Sequence, residues 1–134
     1  MSAQRLNDTK QKILVVDDDP SLRELLAEFL ERGGFEVRTA QDGRAGLNAL
    51  DRYHFDLILT DYRMPAMTGI EMAAVIRRSD TVTPIILITG DFYELDLEMV
   101  ARAGITRVLP KPIKLNELLN ACSTENQDRK AKAA

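Results

Sequence analysis

Ile13-Leu14-Val15-Val16-Asp17-Asp18 is four aliphatic residues in a row followed at once by two acids. An apolar run of that length without polar alternation reads as a strand buried on both faces, and its abrupt acidic end reads as the strand's rim. The pattern recurs along the chain. Leu57-Ile58-Leu59-Thr60 ends at Asp61, Ile85-Ile86-Leu87-Ile88 ends at Thr89, and Thr106-Arg107-Val108-Leu109 leads through Pro110 to Lys111. Helix-length segments separate the runs, which predicts a parallel sheet, and such sheets bind ligands outside the carboxyl ends of their strands. Asp17, Asp18, Asp61, Thr89 and Lys111 therefore converge on one rim.

The segments between the runs complete the pattern. Asp19-Pro20-Ser21 reads as a helix start, with Asp19 as N-cap and proline at the first helical position. Leu22, Leu25, Leu26 and Phe29 form an apolar stripe, and Gly33-Gly34 ends that helix. Phe35 to Ala40 form a shorter strand, and Asp42-Gly43 a turn into a helix reaching about Tyr53. Tyr62 to Thr68 form a loop around Met64-Pro65, closed by Gly69, and a helix spans Ile70 to Arg78. Asp91-Phe92-Tyr93-Glu94 has the spacing of a capping box, which predicts a helix from there to Gly104. A last helix sets Leu115, Leu118, Leu119 and Cys122 on one face. The sum is α/β: (βα)5, a doubly wound five-stranded parallel sheet of flavodoxin-like type, expected in the order 2-1-3-4-5. Residues 1–10 read as a disordered N-terminal extension, 11–122 as one domain and 123–134 as a flexible tail.

Composition bounds the function. The chain has 134 residues and a net charge of −3, which argues against a nucleic-acid-binding face. No run approaches the length of a membrane span, the N-terminus lacks a signal-peptide core, and the single Cys122 suits a reducing compartment. A cytoplasmic protein is expected. His54, the one histidine, reads as a surface or capping residue.

Three carboxylates at one crevice repel one another, and a hard divalent cation such as Mg²⁺ removes the conflict. Lys111 adds a positive charge and Thr89 a hydroxyl donor, so the set suits phosphoryl transfer. An Asp at a strand end also serves commonly as a turn former or cap. The joint placement of all five residues on one rim outweighs that reading.

The segments Ile13–Pro20, Leu59–Gly69, Pro84–Gly90 and Lys111-Pro112 together resemble the receiver domain of two-component response regulators, over about residues 11–122. The resemblance implies that Asp61 is the phosphoacceptor. It implies that Asp18, Asp61 and the Arg63 backbone carbonyl ligate Mg²⁺, with Asp17 acting through water. Thr89 and Lys111 would hold the phosphoryl oxygens, and the Lys111-Pro112 bond would be cis. A histidine kinase or histidine phosphotransfer protein would be the donor, and an unknown protein the target. Helix four, strand five and helix five would form the output face, with Phe92, Tyr93 and Leu97 as candidate contacts. Where relatives carry a switch aromatic on strand five, this chain has Val108. Arg63 and Asp91 would flank the crevice mouth, and their pairing would slow loss of the phosphoryl group. The chain is expected to be a signalling domain and not an enzyme, either stand-alone or excised from a larger protein, with its own Met1 and the tail 123–134 favouring the former. The alternative is a haloacid-dehalogenase-type phosphatase with Asp17 as nucleophile. Asp17-Asp18-Asp19 offers the required spacing, but Thr89-Gly90 stands where that family needs an acidic pair.

Overall fold

A computed structural model describes residues 10–133. Strands β1 (Lys12–Val16), β2 (Glu36–Ala40), β3 (Leu57–Asp61), β4 (Ile85–Thr89) and β5 (Arg107–Pro110) form one sheet. Every pairing is parallel, in the order β2-β1-β3-β4-β5. Helices α1 (Pro20–Arg32), α2 (Gly43–Arg52), α3 (Gly69–Ile76), α4 (Leu97–Arg102) and α5 (Leu115–Ala133) connect or follow the strands. The expected class and strand order are both present.

Alternation along each strand divides the core in two. Ile13, Val15, Leu57, Leu59, Ile86 and Ile88 face α1 and α5, where Leu26, Leu30, Leu118 and Cys122 meet them. Leu14, Val16, Ile58, Ile85 and Leu87 face the other side, against Ile70, Met72, Ala73 and Ile76 of α3 and Val100 of α4. Each fully buried Leu or Ile contributes roughly 1.5–3 kcal/mol relative to exposure, so the two-sided packing of β1, β3 and β4 dominates stability. β2 and β5 are the sheet's edges and are more open.

Several local expectations change. Leu25 is exposed, and the stripe of α1 is instead centred on Leu26 and Leu30. Asp91 does not cap a helix: a single 3-10 turn spans Phe92–Glu94, and α4 begins later with Asp96 as its cap. Asp96 accepts from the amides of both Glu98 and Met99, whereas Asp91 forms no side-chain cap bond and is held by Arg63. The capping box lies elsewhere, reciprocally between Thr68 and Glu71 at the start of α3. The last helix does not stop near Ser123 but runs to Ala133, because nothing in that stretch breaks a helix. Residues 1–9 of the expected N-terminal extension lie outside the described residues.

Candidate functional site

Asp61 is the final residue of β3, and Asp17 and Asp18 directly follow β1, its neighbour in the sheet. Parallel pairing aligns the carboxyl ends, and the carboxylate oxygens of all three lie within 4.8 Å of one another. Asp17 and Asp61 are buried and Asp18 is exposed, so the crevice opens on the Asp18 side. The Asp19 N-cap turns the chain into α1, with its carboxylate accepting from Ser21 N at 3.0 Å. The same turn points Asp19 N at Asp17 Oδ1, 2.9 Å away, while Arg23 Nη1 holds the Asp17 carbonyl at 2.8 Å.

Lys111 reaches over from the end of β5 and places its Nζ 3.0 Å from Asp61 Oδ1. Its amide donates to the Thr89 carbonyl at 2.9 Å, and the Lys111-Pro112 bond is cis. Thr89 closes β4 with its side chain buried, and its Oγ1 accepts from Asp91 N at 2.9 Å. The Asp61 main chain is held as firmly as its carboxylate. Thr60 Oγ1 donates to the Asp61 carbonyl at 2.9 Å, and Tyr62 N donates to Asp61 Oδ1 at 2.9 Å. Gly69 packs so closely that a β-carbon there would collide with the Asp61 carbonyl oxygen.

One ammonium faces three carboxylates, and the imbalance falls on Asp17. Burial, followed by the charges of Asp61 and Asp18, pushes its carboxyl up to about 6 against the opposing Asp19 N–H bond and Lys111. A cluster of oxygen donors that cannot all ionise comfortably suits a small hard cation such as Mg²⁺, so the residues present fit that ion.

All five rim residues thus meet at one place. Arg63 and Asp91 form an ion pair from the β3–α3 loop to the segment after β4, on the exposed side of the site. Val108 lies beside Leu87 in the β4–β5 register, half-buried against the α2–α4 face. His54 is exposed and lies 3.2 Å from the Asp56 carboxylate, remote in the sheet from the rim. Two contributors were missed by the sequence reading. Gly69, read only as a loop end, abuts the Asp61 main chain, and Thr60 anchors its carbonyl. The polar ending of an otherwise aliphatic run was the one available sign of Thr60.

The chain matches the response regulator receiver domain family over residues 13–123. It is 38% identical over 110 residues to a response regulator receiver protein of Anaeromyxobacter, covering 82% of this chain and 46% of that protein. The chain spans about half the length of that relative. Among solved structures, chemotaxis protein CheY4 of Vibrio cholerae is similar with a TM-score of 0.80 and 33% identity, over 87% of this chain and 98% of that one. Response regulator TrrA of Thermotoga maritima, solved in complex with Mg²⁺ and BeF, is similar with a TM-score of 0.78 and 34% identity, over 86% of this chain and 98% of that one. Among the described residues no helix is long and apolar enough to cross a membrane.

Proposed function

The chain belongs to the response regulator receiver family of two-component signalling, and on that premise we propose that it is switched by phosphorylation of Asp61. The observation that carries this reading is the meeting of Asp17, Asp18 and Asp61 within 4.8 Å, with Lys111 Nζ 3.0 Å from the Asp61 carboxylate. The donor is a phosphohistidine on a histidine kinase or phosphotransfer protein. An Asp61 oxygen attacks phosphorus, the P–N bond breaks, and its electron pair stays on the imidazole nitrogen. When bound, Mg²⁺ supplies charge neutralisation, with Asp18, Asp61 and the Arg63 carbonyl as its protein ligands and Asp17 acting through water.

The chain's own residues do the rest. Lys111 offsets the charge arriving beside Asp61, and the cradle formed by Tyr62 N and Thr60 orients the attacking carboxylate. Thr89 uses its Oγ1 as an acceptor for Asp91 N, which leaves the hydroxyl proton for a phosphoryl oxygen. The receptive unit is residues 11–122, its product is an altered protein-binding face on α4, β5 and α5, and no free substrate turns over. The phosphatase alternative is disfavoured because Thr89-Gly90 stands where that family needs an acidic pair.

Incubation with a small phosphodonor and Mg²⁺, followed by mapping of the acyl phosphate, tests the assignment. Label on Asp61, lost in Asp61→Asn with the fold retained, is the expected outcome. Label on Asp17 would overturn it. A finer proposal concerns lifetime. The Arg63–Asp91 pair obstructs the water that must approach the aspartyl phosphate in line, and so slows hydrolysis.

A further inference from the structure

Arg77 caps the end of α3 and is half-buried, yet among the described residues it forms no ion pair. Its Nε and Nη2 both donate to the Gly104 carbonyl, at 3.1 and 2.8 Å, and its Nη1 donates to the Asp80 carbonyl at 3.0 Å. Burial lowers its pKa, with only the Asp80 charge opposing. A cation withdrawn from water to serve neutral acceptors secures a geometry and not a charge, and the planar guanidinium fork is what fits two carbonyls together. Gly104 answers to the same contact. It turns the chain from α4 into β5 with φ +77°, and a β-carbon there would strike the Arg77 side chain.

The other end of α3 touches the acceptor. Gly69 N donates to the Tyr62 carbonyl at 2.8 Å, and Gly69 packs on the Asp61 carbonyl oxygen. Between these ends α3 is short and buried through Ile70, Met72, Ala73 and Ile76, so it behaves as a stiff rod. By contrast α4 buries only Val100, with Ala103 just beyond its end. An element with so little burial is placed by its few ties, and the Arg77 fork onto Gly104 is one of them.

We propose that Arg77 is a positioning residue through which α3 relays the state of Asp61 to the α4–β5 turn, a route that needs no aromatic on β5. The inference rests on the reading of Asp61 as phosphoacceptor and specifies how that site communicates.

The test is hydrogen exchange of the full chain with and without beryllofluoride and Mg²⁺, in wild type, Arg77→Lys and Arg77→Gln. Beryllofluoride affinity is measured separately by fluorine NMR. Arg77→Lys keeps the charge and the aliphatic stem but cannot fork, so the fold survives in it even if Arg77→Gln is unstable. In wild type, ligand should change exchange across residues 103–107 by about tenfold. In the lysine variant, affinity should stay within about twofold while that ligand-dependent change disappears. A merely structural Arg77 would speed exchange equally in both states and leave their ratio intact, and that result overturns the relay. Failure of wild type to bind beryllofluoride at Asp61 removes the acceptor reading itself, and the relay with it. Binding with an unchanged ratio in the variants removes the relay alone.

Discussion

The acidic rim and the segment that follows β4 are neighbours built on contrary principles. At the rim, Asp17, Asp61 and Thr89 are 2%, 7% and 1% exposed, and the backbone is packed until only glycine fits at position 69. A few residues away, Gly90 has open space around it, while Tyr93 is 94% and Leu97 73% exposed. Asp91 ties the start of that segment, by its amide to Thr89 and its carboxylate to Arg63. Chemistry demands fixed positions, since misplacement of reacting groups is costly. A readout demands an element with a small energy gap between arrangements. On the reading of Asp61 as phosphoacceptor, the contrast suits the rim to the first task and the segment to the second, with Thr89 and Arg63 reaching from one to the other.

The largest expected effect breaks the rim mechanically. Gly69→Ala drives a β-carbon into the Asp61 carbonyl oxygen, backbone against backbone, where no side chain can yield. A loss of about 3 kcal/mol or more in denaturant unfolding is expected, with misplacement of Asp61 in whatever still folds. A change under about 1 kcal/mol would mean that the rim yields as easily as its neighbour does, and the contrast would fail.

The next effect is electrostatic and smaller. With metal chelated, Asp17 holds its proton up to about pH 6 in the folded chain, against an ordinary value of 3.8. Between those values the folded state binds more protons than the unfolded one, so stability falls as pH rises from about 4 to about 6 and then levels off. The span corresponds to an upper figure of roughly 3 kcal/mol. Asp17→Asn should remove this group's part of the decline and raise metal-free stability near pH 7 by roughly 1–2 kcal/mol, while weakening stabilisation by Mg²⁺. Melting curves across pH with and without Mg²⁺ check both signs, and a variant no more stable than wild type contradicts the strained-carboxylate account.

How much of this was legible in the sequence follows from the same contrast. The rim was readable because its physics is local to strand ends: an aliphatic run that stops at Asp17, Asp61 or Thr89 announces both the burial and the place of the polar group. The class followed from alternation with helices, and the strand order from the usual order of the flavodoxin-like type. The segment after β4 was misread because Asp91 and Glu94 have capping-box spacing. A carboxylate that an arginine 28 positions away can reach is not free to cap, and local spacing carries no trace of that competitor, which only the family resemblance set beside Asp91. Leu25 misled similarly, since periodicity gives a stripe's width but not which edge of it meets the sheet. Arg77 was invisible for a different reason: its acceptors are carbonyls at Asp80 and Gly104, and a main-chain acceptor has no sequence signature.

Smaller effects probe the segment itself. Arg63→Ala removes an exposed pair, so it should leave stability within about 0.5 kcal/mol. Its consequence should be kinetic, with the aspartyl phosphate decaying several-fold faster when followed by loss of label. An unchanged half-life would mean that the pair only tethers the loop.

Gly90→Ala is the counterpart of Gly69→Ala and should have the least effect on stability. The added β-carbon meets nothing within 4 Å, and the residue is not among the glycines with positive φ. Restricting the unfolded chain and adding no clash, it should shift unfolding by less than about 0.5 kcal/mol in either direction. The informative readout is the response to beryllofluoride with Mg²⁺, since alanine next to Thr89 narrows the backbone freedom on which a change of the segment would draw. Stability unchanged with a reduced response would locate the movable hinge at Gly90. Stability and response both unchanged would move the hinge past Asp91, toward the turn that carries Phe92 and Tyr93.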